Sequence, residues 1–154
     1  MTAVTTRSTT HRSDLGGLLL RVLAVAGLGI SAYVHLHLAS RYPYPGTITG
    51  TQLFDIQGAV AAAVGLALLV TGNRWVWRVA FLVGAASLGA VLLYRYVDVG
   101  ALGPLPNMND GTWQPTEKVV STVAEGAVVL FTLLHEAVRR LAGRVAHAPR
   151  GAGW

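Results

Sequence analysis

QLFDIQGAVAAAVGLALLVTGNRWVWRVAFLVGAASLGAVLLYRYV, residues 52–97, decides the fold. It holds two apolar runs, 52–71 and 75–97, separated by only a few residues around Gly72, Asn73 and Arg74. Each is about as long as the roughly 20 helical residues that span a bilayer. A lone strand in lipid would leave its backbone groups unpaired, so both runs are expected to be helices joined in a tight hairpin. Trp75 and Trp77 suit the headgroup layer beside that hairpin. Outward from the hairpin lie two further runs of similar length, 16–38 and 119–138. The expected fold is therefore all-α, a transmembrane four-helix bundle occupying residues 15–140.

Composition agrees with this reading. Of 154 residues, 53% are hydrophobic and 12% charged, about half the charge usual in soluble domains. So apolar a chain would collapse rather than stay disordered, and so small a domain has too few charged groups to cover its surface in water. The absence of cysteine excludes disulfides, thiolate metal sites and a cysteine nucleophile. A net charge of +5 is read as a topology signal and not as a nucleic-acid footprint. Arg7, Arg12, Arg74, Arg78, Arg139, Arg140, Arg144 and Arg150 fall on one side of the spans, and Arg41, Arg95 and Lys118 on the other. The basic side faces the cytoplasm by the positive-inside rule, which places both termini there and makes the chain a multi-pass protein of the cytoplasmic membrane. Residues 1–14 and 141–154 are expected to be a disordered tail and a basic tail. A cleaved signal peptide is the rival reading of the first span. Arg21 interrupts its apolar region, which is also too long for a signal, so a retained helix is expected.

Two outer loops follow from this topology: ASRYPYPGTITG and the longer DVGALGPLPNMNDGTWQPTEK. The second is either a linker or a cover over the bundle mouth. Small residues four apart (Gly27 and Ser31, Gly58 and Ala62, Ala61 and Gly65, Ala85 and Gly89) supply close-packing surfaces between helices.

Polar side chains at membrane depth are costly and generally face the bundle interior. Here they gather toward the outer end: His35, His37, Asp55, Gln57, Tyr94, Arg95 and Glu125 are the candidates for a polar pocket. Glu125 also lies in a stripe with Ser121, Thr122, Thr132 and Glu136 on the fourth span. It is read either as helix-to-helix glue, paired with Arg95 or a tyrosine, or as a working carboxylate. Imidazoles suit transition metals. However, His35 and His37 stand about 200° apart on a helix, so one is expected to point inward and the other toward headgroups or the loop. His135 lies too far down the fourth span, about 25 Å away, to share a haem iron with them. Arg21 and Glu136, at similar depth near the cytoplasmic boundary, are expected to pair and so dock the first span against the fourth. No hydrolase, phosphate-loop or dinucleotide motif is present.

The segment LLLRVLAVAGLGISAYVHLHLA, residues 18–39, resembles the first helix of DoxX-like four-helix membrane proteins. The general plan is also similar to small integral membrane proteins of actinobacteria. The resemblance implies an accessory role beside membrane redox systems, some of them linked to quinone chemistry. His35 and His37 stand where those proteins often carry a basic residue. The sequence thus reads first as a non-catalytic accessory or assembly subunit with no cofactor of its own, in contact with lipid and with a membrane-protein partner or a second copy. The alternative is a redox-linked or small-ligand protein that binds a quinone or a metal ion in the outer polar pocket.

Overall fold

A computed structural model describes residues 8–146 of the chain. Four helices follow one another: α1 (Ser8–Leu38), α2 (Gly50–Val70), α3 (Arg74–Tyr96) and α4 (Thr116–Ala146), with a single 3₁₀ turn, Ala39–Arg41, closing α1. All four are long and apolar enough to cross a membrane, and the protein is a multi-pass membrane protein. The ends of α1 and α3 meet the starts of α2 and α4 at one end of the bundle, here the loop end. The start of α1, the α2–α3 hairpin and the end of α4 lie at the other. Around the bundle α1 packs against α2 and α4, and α3 packs against α4 and more loosely against α2.

Helix α1 begins at Ser8 and α4 continues to Ala146, so the inner parts of both expected tails are helical. Once a membrane-buried turn has nucleated a helix, each added residue costs little, and the helix continues past the apolar run. Residues 1–7 and 147–154 of the expected tails lie outside the described residues.

Local chemistry sets the ends of the two central helices. Thr49 and Gln52 form a reciprocal capping box at the start of α2, with Gln52 N donating to Thr49 Oγ1 at 3.2 Å and Thr49 N to Gln52 Oε1 at 2.9 Å. Asn73 accepts from Trp75 N at 3.0 Å at the start of α3. The end of α2 is capped from another helix: Arg21 donates to the carbonyl oxygens of Leu68 and Leu69. The expected Arg21–Glu136 pair is therefore not formed. The last carbonyls of α2 have no partner within their own helix and draw the nearest guanidinium. Glu136 is met by Arg140 one turn along α4, at 2.8 Å.

The core of the bundle is small and smooth. Ala24, Leu28 and Ala32 of α1 meet Ala61 and Leu68 of α2, Trp77 and Ala80 of α3, and Val128 of α4. Glycines bring the backbones together at three crossings. A Cβ on Gly27 would stand 2.7 Å from Val128 Cγ2 and 3.0 Å from Ala124 O. On Gly58 it would stand 2.6 Å from Leu36 Cγ, and on Gly84 3.0 Å from Val128 Cγ1. Ala61 and Gly65 share the α1-facing side with Gly58, whereas Ala62 is exposed and Gly89 faces open space. The expected Ala85–Gly89 pair thus gives way to Gly84. Large apolar side chains such as Leu19, Leu66, Val70, Leu82 and Val123 point outward, as lipid-facing residues do.

Candidate functional site

The looser packing between α2 and α3 leaves a cavity of about 350 Å³ at the loop end, within the range of small-molecule sites. Its walls are mostly apolar, and all four helices contribute. Leu105, Met108, Asp110 and Lys118 cover it from the loop side. The Lys118 ammonium fastens that cover, donating to Asp110 Oδ1 at 2.6 Å and to Thr112 O at 2.9 Å. The two loops at this end are joined by Ile48 N donating to Pro104 O at 3.0 Å. Of the two readings of the long loop, the cover is the one that the structure displays. Ile56 of α2 and Ala86 and Ala90 of α3 also line the cavity, and all three are exposed. The chamber is therefore not closed off where α2 and α3 face each other.

Glu125 lies in the wall contributed by α4 and is 2% exposed. Ser121, one turn earlier on the same helix, donates to its Oε1 at 2.8 Å, and Ser31 of α1 donates to the same oxygen at 3.0 Å. No donor reaches Oε2 among the described residues. His35 donates from Nδ1 to Ser31 O at 2.8 Å, which aims Nε2 toward Glu125 Oε1, 3.9 Å away. Glu125 thus ties α1 to α4 through a serine. Arg95, its expected partner, lies instead over the rings of Tyr96 and Trp113, 5.0 and 5.7 Å from their centroids.

Four of the candidate residues, His35, Gln57, Tyr94 and Glu125, line the cavity. The other three do not. His37 is exposed and stacks on Tyr33 at 5.6 Å, and Asp55 is exposed on α2. Both departures follow from helix geometry: each residue is two positions from an inward-facing neighbour, and so about 200° around the axis from it. Arg95 directly follows the inward-facing Tyr94, about 100° from it, and its stem runs out to the interfacial aromatics. Among the described residues, no group of three His, Asp or Glu side chains gathers where one ion could bind.

Several cavity residues stand outside the expected set. An aromatic wall runs continuously from His35 to Phe54 (5.3 Å between centroids), Phe54 to Tyr42 (5.2 Å) and Tyr42 to Tyr44 (5.8 Å). Burial, reinforced by the Asp110 carboxylate, pushes the Tyr42 and Tyr44 phenols above their ordinary range, so both rings stay neutral. Ser87, 8% exposed, faces the cavity from the middle of α3. A hydroxyl in the middle of an apolar span was the available signal for Ser87, and the clustering of Tyr42, Tyr44 and Phe54 around the α1–α2 loop was the signal for the wall.

Three side-chain groups on these walls, Gln57 Nε2, Ser87 Oγ and Tyr94 Oη, are buried without a hydrogen-bond partner. Such groups are rare because each costs free energy. Elsewhere in the bundle a buried hydroxyl is satisfied locally: Thr132 Oγ1 donates to the backbone one turn back, with Val128 O at 2.9 Å. Two other buried groups, Arg95 Nε and His135 Nε2, also lack a partner and lie off the cavity, but three of the five gather on its walls, and that gathering separates the cavity from a mere packing defect. No family model, curated protein or solved structure matches the chain.

Proposed function

We propose that this protein binds a small amphipathic molecule taken from the membrane, holding its polar part in the cavity between α2 and α3. The single observation that carries this reading is the convergence of Gln57, Ser87 and Tyr94, each with an unpaired buried polar group, on an apolar chamber not closed off between α2 and α3. A membrane-dissolved molecule reaches such a chamber sideways without passing the Lys118–Asp110 fastening. The accessory role read from the sequence is compatible with this function: a subunit of the cytoplasmic membrane that presents a membrane-soluble molecule to a partner protein. The likeness of residues 18–39 to DoxX-like proteins supports that setting, and a quinone is one molecule of suitable shape. His35 and Glu125 place a base and a carboxylate beside the bound molecule, and nothing else at the site points to a reaction.

The test is photolabelling with a lipid-soluble diazirine alcohol in reconstituted bilayers. Label is expected within residues 53–57 and 86–94, and Ala90→Trp, which fills the side opening, should suppress it while the melting temperature holds. Labelling spread evenly over the lipid-facing residues Leu15, Leu19 and Leu82 would sink the proposal.

Orientation belongs to the same reading, with the loop end facing away from the cytoplasm. The basic residues at the terminal end favour this arrangement. Because the chain has no cysteine, Asn109→Cys supplies a unique thiol at a half-buried position of the long loop. An impermeant maleimide added to intact cells is expected to label it. Labelling only after the cells are opened would reverse the topology.

A further inference from the structure

No lysine or arginine among the described residues pairs with Glu125. Lys118 is bound to Asp110, and Arg95 is occupied by Tyr96 and Trp113. His35 gives its Nδ1 proton to a backbone carbonyl, and its other ring nitrogen stays 3.9 Å from Glu125, beyond hydrogen-bond length. Glu125 therefore has two serine hydroxyls on one oxygen and no fixed cation against the carboxylate. A positive partner placed against such a buried carboxyl group favours its ionised form, because the low dielectric strengthens the attraction.

The remaining walls suit a cation equally well. Tyr42, Tyr44, Phe54 and Tyr94 line the cavity, and the quadrupoles of such aromatic rings attract an ammonium. The unpaired hydroxyls of Ser87 and Tyr94 can each accept an N–H bond. On this basis we infer that the ligand class is a lipophilic ammonium: an apolar body lying between α2 and α3, with a protonated amine between Glu125 and the aromatic wall. This rests on the cavity being a binding site, as proposed above, and adds the charge of what it binds.

The experiment compares 4-butylbenzylamine, which is protonated at neutral pH, with 4-butylbenzyl alcohol, its uncharged counterpart of nearly equal size. Binding is measured by titration calorimetry with the protein in zwitterionic nanodiscs, against empty nanodiscs. The amine is expected to bind at least about tenfold more tightly than the alcohol. Glu125→Gln keeps an acceptor for Ser31 and Ser121, so the fold should persist, and it should bring the amine down to the level of the alcohol. Ser87→Ala combined with Tyr94→Phe is the second variant, should Glu125→Gln fail to fold, and it should reduce amine binding more than alcohol binding. Equal affinities for the two probes, or an amine preference that survives both variants, would overturn the ammonium assignment and leave the binding site standing. Binding of neither probe, or binding untouched by Ala90→Trp, would remove the site itself.

Discussion

Gly27→Val is expected to destabilise the bundle by about 3 kcal/mol, at the upper end of what overpacking usually costs. The new Cβ alone would stand 2.7 Å from Val128 Cγ2 and 3.0 Å from the Ala124 carbonyl oxygen. A side chain can turn away from such a clash, whereas a helix backbone cannot. The only relief is for α1 and α4 to separate, which lengthens the Ser31–Glu125 bond and opens the core around Val128. Hydrophobic collapse does not push the helices back together, because lipid solvates the separated faces as well as the partner helix does. Gly89→Val is the matched control: nothing lies within 4 Å of its Cβ, and the change should stay within about 0.5 kcal/mol. Reversible unfolding in detergent reads both. Similar losses for the two variants would mean that the glycines matter for helix propensity and not for close approach.

The contrast between these glycines shows which part of the architecture can be read from the chain and which cannot. The four helices are legible because length and the need to satisfy the backbone decide them, and neither depends on side-chain direction. Which face of each helix turns inward is a different problem. In runs so uniformly apolar, one side differs little from another, so Gly84 and Gly89 look alike until the neighbouring helix is in place. The same ambiguity separates Gln57 from Asp55 and His35 from His37: each pair is polar and near the loop end, but only one member faces the cavity. Arg21 and Glu136 match in depth and charge, yet the unpaired carbonyls closing α2 are invisible in a count of charges. Ser31 shows the limit most clearly. It reads as a small packing residue, and it is both that and the donor that joins α1 to Glu125.

Removing the unpaired groups should make the protein more stable while destroying its binding. The variant Gln57→Leu, Ser87→Ala, Tyr94→Phe takes away the three unpaired polar groups on the cavity walls and leaves the Glu125 cluster intact. Leaving a buried polar group unsatisfied costs about 1–3 kcal/mol. Replacing it with an apolar group of similar shape removes that cost and forfeits no bond within the bundle. Ser87 and Tyr94 lie two turns apart on α3 and Gln57 lies on α2, but all three share one cavity, so their effects should fall short of a full sum. A combined gain of about 2–4 kcal/mol in the ligand-free protein is expected, with loss of photolabelling and of amine binding. Stability and function would then oppose each other at the same three atoms, as they do where a site holds polar groups ready for a partner that arrives from outside. The opposite sign would be decisive. If the variant unfolds more easily than the wild type, these side chains hold the helices together, and the cavity loses the observation on which its function rests.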